Sequence, residues 1–284
     1  MIKKIWIVFA VTCIVTIPVR LYQLMYYVDS QTGFFTDGNV TSTIVSVILI
    51  AGCAAVLFLS RRQKNFSLQF QDMSSMPSVI FCGLSGAVML IYAVRQLALV
   101  ASGDTNWEEN YMQQIPVWVQ HPVLYAALAI LAVAAAINLL VLAWGLGQGK
   151  SPYLHLPAAT LFLPLWSCMD LTVMFVRSTE VVNSIESLYS MFMVIFLLVC
   201  LFAQARFLSG LDDSKSRLLM VASGMCCAIV TFTVTVPNLL MYAMGRGDIC
   251  SMTMESSVLY LVLAMFLQSL SFKMIKKQKI SEKI

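Results

Sequence analysis

The sequence predicts an all-α fold, a polytopic membrane bundle of about eight transmembrane helices, and three observations predict it. Of the 284 residues, 60% are hydrophobic and 11% charged, against the roughly 25% charged expected of a soluble domain. Apolar runs of about 20 residues, the length at which a helix crosses a bilayer, recur along the chain. The connecting segments alternate in charge from one to the next.

Hydropathy and turn residues place the spans near 5–27, 40–60, 78–101, 122–146, 158–177, 188–208, 218–243 and 256–273. Backbone polar groups in hydrocarbon must be satisfied within the segment, so runs of this length imply helices; a barrel would show shorter alternating strands. The spans leave no room for an extramembrane domain. One integral domain covers 1–284, with a short basic tail at 274–284.

Charge orients the bundle. Lys3 and Lys4, then Arg61, Arg62 and Lys64, then Lys150, then Arg206, Lys215 and Arg217, then Lys273, Lys276, Lys277 and Lys279 fall on one side. The other side carries Asp29 and Asp37, then Asp104, Glu108 and Glu109, then Glu180 and Glu186, then Arg246 and Asp248. The positive-inside rule makes the first set cytoplasmic and predicts a cell-membrane protein with both termini inside. Met1-Ile2-Lys3-Lys4 opens an apolar run without an A-x-A-like cleavage site, which reads as an uncleaved first span.

The segment from Gly103 to His121 carries Trp107, Tyr111, Ile115, Val117 and Trp118. These aromatic and aliphatic residues suggest a surface-lying helix at the interface, or a lid over an external opening. Val19-Arg20 and Val94-Arg95 are each followed nine residues later by an aspartate, and the two arginines lie 75 residues apart. A further 75 leads to Asp170, and the next step reaches Gly245 beside Arg246. The spacing suggests tandem helical hairpins, although spans of standard length also give approximate periods.

Charged groups at the centre of a membrane helix cost roughly 2.5–3.5 kcal/mol on insertion scales, which makes them functional candidates. Thr12, Thr16, Arg20 and Gln23 share a face of the first span by steps of four, four and three. Tyr92 and Arg95 lie one turn apart in the third. Ser167, Asp170 and Arg177 share a face of the fifth through Met174, and Thr231, Thr235, Asn238 and Tyr242 line the seventh beside Pro237.

All four stripes lie on odd-numbered spans. Arg20, Gln23, Tyr92, Arg95, Asp170, Arg177 and Asn238 are therefore the candidate ligand-binding residues. Converging at one depth, they would form an outward-facing polar vestibule with excess positive charge. Guanidinium groups grip carboxylate or phosphate in bidentate geometry, which points to a small anionic or zwitterionic ligand. The competing reading is structural: arginines near a span end snorkel to headgroups, Asp170 neutralises one of them, and threonines bond their own backbone.

Other features point to packing. Asn138 in an alanine-rich fourth span predicts close helix contact with a hydrogen bond between helices. Seven of the eight cysteines lie within spans, which argues against a disulfide framework. The 18 methionines are dispersed through apolar faces and read as gap-fillers.

The chain has no phosphate-binding loop, H-E-x-x-H, C-x-x-C or G-x-S-x-G. The two histidines, His121 and His155, fall on opposite sides of the membrane. A non-enzymatic role without metal or cofactor is the expectation. The basic residues sit at helix ends and form no nucleic-acid surface. The bilayer is the expected partner, with a small-molecule transporter or ligand-binding receptor as the leading function and a non-catalytic membrane subunit or interaction protein as the alternative.

Overall fold

In a computed structural model, the described residues are 2–28, 35–37, 40–61, 70–102, 121–153, 156–180, 185–211, 214–250 and 252–281. They form eight long helices: α1 (Ile2–Tyr26), α2 (Val40–Arg61), α3 (Met76–Ser102), α4 (Pro122–Gln148), α5 (Phe162–Glu180), α6 (Ile185–Leu208), α7 (Ser214–Ala243) and α8 (Met254–Ser281). Each contains a stretch long and apolar enough to cross a membrane. The architecture is that of a multi-pass helical membrane protein. The only strand-like feature among the described residues is an isolated bridge between Val28 and Phe35.

Every predicted span coincides with a helix, and the differences lie at the ends. The fifth span starts as a 3-10 turn, Pro157–Leu161, before α5 begins. Pro157 opens this turn and Pro164 is the third residue of α5, and each lacks the N–H needed to extend a regular helix backwards. At the other end of the chain, α8 continues to Ser281 where a tail from 274 was expected. Lys, Gln, Met and Ile carry the helix on, since no glycine or proline intervenes.

Left-handed glycines follow three helices among the described residues, one of them Gly210 after α6 at φ 77°. Gly149 sits at φ 68° after α4, and the N–H of Lys150 reaches back to the Gly145 carbonyl at 3.1 Å. Gly245 does the same after α7 at φ 74°, with Arg246 N–H on the Met241 carbonyl at 3.0 Å. Both are left-handed terminations for which glycine carries no Cβ penalty. The fourth position of the 75-residue spacing, Gly245, is therefore a helix stop.

Helix α7 is the hub. It packs against α1, α2, α6 and α8, and 83% of its spanning window is buried, against 28% for α1. Its sequence around Ala222, Ser223, Gly224, Cys226, Cys227 and Ala228 explains the position, because small side chains let neighbouring backbones approach where lipid supplies no hydrophobic drive. From α7 the contacts run through α8, α3, α4, α5 and α6 back to α7, a closed ring, with α1 and α2 packed together on its outside.

The same logic shapes smaller contacts. Gly52 of α2 lies against the Thr12 side chain of α1, and Gly86 of α3 lies against Leu140 and the Ala136 carbonyl of α4. Ala132, Ala135 and Ala136 are fully buried on that face of α4. Outward positions such as Ile7, Val11 and Ile14 on α1 and Val47 and Ile50 on α2 are exposed and apolar, as a surface solvated by lipid requires.

Candidate functional site

Five of the seven candidate residues fall in two polar clusters, Arg20, Gln23 and Asn238 in one and Tyr92 and Asp170 in the other.

The first is built around Arg20. Its side chain is 1% exposed, so it does not snorkel out of the protein. Nη1 donates to Gln23 Oε1 at 2.5 Å, and Gln23 Nε2 donates to Ser42 Oγ on α2 at 2.5 Å. Tyr189 of α6 completes the arrangement: its hydroxyl donates to the Ser42 carbonyl at 2.9 Å and shares a 2.7 Å hydrogen bond with Ser46. The guanidinium lies 5.3 Å from the Tyr189 ring centroid and 5.7 Å from that of Phe35. Stacked aromatic faces suit a guanidinium by cation–π attraction.

Local structure positions each part. Steps of three and four put Thr16, Arg20 and Gln23 on the inward face of α1, as the sequence predicts. The Val28–Phe35 bridge, with Thr36 N–H donating to the Tyr27 carbonyl at 2.8 Å, returns the chain so that Phe35 reaches Arg20. Asp37 then caps α2 by accepting from the Thr41 N–H at 2.9 Å and from the Thr41 hydroxyl, which sets Ser42 opposite Gln23.

Asn238 belongs at the same level. Thr16 and Thr233 share a hydrogen bond of 2.8 Å, and farther along Leu24 packs with Met241. Both pairs have the same offset, so α1 and α7 run parallel in register and Asn238 lies level with Leu21. Asn238 is 1% exposed and its Nδ2 has no hydrogen-bond partner among the described residues. The threonines bond their own helices one turn back, Thr12 to Val8, Thr16 to Thr12, Thr233 to Ile229 and Thr235 to Thr231.

The second cluster surrounds Asp170, which is 4% exposed on α5. The Tyr260 hydroxyl of α8 donates to Asp170 Oδ2, and the Tyr260 ring packs 6.2 Å from that of Trp166, one turn before Asp170. Tyr92 of α3 has Asp170, Tyr125, Gln96 and Ser256 as its polar neighbours. No arginine or lysine pairs with Asp170 among the described residues.

Arg95 joins neither cluster. It turns to the exposed side of α3 and forms an ion pair with Glu255 at the start of α8. The inward partner of Tyr92 is Gln96 instead, one turn on at the i+4 position. A single vestibule holding Arg20, Arg95 and Asp170 together is thus not the arrangement found. Arg177 lies in α5, with its side chain outside the described residues, as are the whole of 103–120 with its proposed interfacial helix, and His155.

Asn138 makes its hydrogen bond to the 3-10 turn that opens the fifth span. Its Nδ2 donates to the Ala159 carbonyl in the 3-10 turn, and the Tyr153 hydroxyl donates to the Asn138 carbonyl at 2.7 Å and to Oδ1 at 2.8 Å. All eight cysteines are free. Among the described residues, no three His, Cys, Asp or Glu side chains are grouped to hold a metal ion.

Comparison with family models, curated proteins and solved structures gives no match. The functional reading therefore rests on the chemistry of the two clusters.

Several members of these clusters escape a search for charged residues in spans. Ser42, Tyr189, Trp166 and Tyr260 are ordinary membrane-helix residues, and only their neighbours across helices give them roles. Glu255 carries a visible signal, an acidic residue in the first turn of an otherwise apolar helix.

Proposed function

We propose that this protein is a non-catalytic small-molecule transporter or ligand-binding receptor of the cell membrane, both termini cytoplasmic, acting on an anionic or zwitterionic molecule through an outward-facing site at Arg20. The observation that supports this reading is the placement of Arg20. A guanidinium drawn wholly inside the protein, between two aromatic rings and oriented by Gln23, is an expensive arrangement that a headgroup-seeking arginine does not need. It suits binding of a carboxylate or phosphate, with Asn238 Nδ2 a donor at the same level.

The test is a cysteine-accessibility scan with single cysteines at 20, 95, 170 and 238 in a background lacking the native cysteines, probed from outside with a small charged thiol reagent. Labelling at 20 and 238, reduced by an anionic or zwitterionic solute, supports the reading. Labelling at 95 alone, in folded protein, overturns it.

A second reading, a membrane subunit or interaction protein, is favoured by the internal pairing of Arg95 with Glu255 and of Asp170 with Tyr260. It predicts that no solute protects any of the four positions.

A further inference from the structure

We infer that the Asp170 cluster is a second binding site, and that it takes a primary ammonium group. This inference does not depend on Arg20.

A carboxylate at this depth is costly unless a cation or several donors meet it. Tyr260 supplies one donor, to Oδ2. No cationic side chain answers the charge among the described residues. On the same helices, Gln96 Oε1, Ser167 Oγ and the indole Nε1 of Trp166 are buried without hydrogen-bond partners among the described residues, on side chains 7%, 0% and 0% exposed. Ser167 precedes Asp170 by three residues on the same face of α5, and Gln96 follows Tyr92 by four on α3.

Buried polar groups normally find partners, and the groups left over here tell what is missing. The indole of Trp166 can only donate, whereas Gln96 Oε1 can only accept, Asp170 is an acceptor when ionised and a serine hydroxyl can accept, so acceptors outnumber the one donor. The walls are aromatic: Trp166, Tyr92 and Tyr260. Acceptors of net negative charge between aromatic faces fit a cation with several N–H donors. A primary ammonium has three. An anion would meet the Asp170 carboxylate head-on, and a quaternary ammonium would leave Gln96 Oε1 unsatisfied.

A free alkylamine and the amino end of a zwitterion present the same recognised group. The experiment uses full-length protein in detergent at pH 7 and constant ionic strength. Thermal unfolding is followed while n-propylammonium, L-alanine, tetramethylammonium or sodium is titrated as the chloride or neutral solute. The expected result is a saturable rise in Tm with propylammonium or alanine, and at least tenfold weaker effects of tetramethylammonium and sodium. Half-saturation at lower concentration for alanine would assign the ammonium to a zwitterion, and the reverse order to a free amine.

Asp170→Asn is expected to raise the half-saturation at least tenfold, and Gln96→Leu about threefold or more. Gln96→Leu carries the test if the Asp170 variant fails to fold. Arg20→Met is expected to leave the propylammonium response unchanged, which separates failure of this site from failure of the Arg20 site. No saturable response of the wild type to either amine, or an undiminished response in both Asp170→Asn and Gln96→Leu, would overturn the inference.

Discussion

Arg95 of α3 and Glu255 of α8 form an ion pair beside, and not within, the buried cluster of Tyr92 and Asp170. Their side chains are 58% and 34% exposed. The pair therefore accounts for the charge of Arg95 without a ligand, and it separates Arg95 from Arg20 although both sit in Val-Arg pairs 75 residues apart.

An exposed pair of this kind contributes little, about 0–1 kcal/mol. Arg95→Gln and Glu255→Gln should each lower the detergent-solubilised Tm only slightly, and the exchanged pair Arg95→Glu with Glu255→Arg should recover the loss. A fall of several kcal/mol in either single variant, measured by thermal unfolding, would mean that Arg95 has a further role.

Arg20 should behave differently. Arg20→Met removes the donor to a buried Gln23 Oε1, and leaving such an acceptor unmet costs about 1–3 kcal/mol. Adding Gln23→Leu should return part of that loss, because the orphaned group goes with it. Unfolding midpoints of the single and double variants decide; equal midpoints for wild type and Arg20→Met would contradict the geometry described.

Gly52→Ala tests the contact of α1 with α2. A Cβ there would stand 2.7 Å from Thr12 Oγ1 and 2.8 Å from Thr12 Cγ2. Overpacking of this kind costs about 1–3 kcal/mol. Thr12→Ala in the same chain should restore most of the stability, since it removes both atoms, whereas Gly147→Ala, with open space around it, should be close to neutral.

Tyr153→Phe should loosen the passage from α4 to α5. The phenol donates to both the carbonyl and Oδ1 of Asn138, and Asn138 in turn holds the Ala159 carbonyl. A loss of about 1–2 kcal/mol follows for a buried hydrogen bond. Hydrogen exchange should accelerate at 156–162 more than in α7; uniform acceleration through the bundle would place the effect elsewhere.

The number of spanning helices and their approximate ends were determined by the sequence alone. Hydrocarbon forces each span to satisfy its own backbone, so an apolar run of sufficient length specifies a helix without reference to its neighbours. The inward face of α1 was legible for the same reason, since Thr16, Arg20 and Gln23 are placed by helical periodicity. Which stripes would meet was a matter for the tertiary structure. That depended on α7, whose small residues draw four helices around it, and on a ring that brings α8 against α3 and sets Tyr260 against Asp170. A helix's period fixes the direction of its own side chains, but the partner across an interface is chosen by packing among all the helices, and in lipid no single apolar face announces that choice.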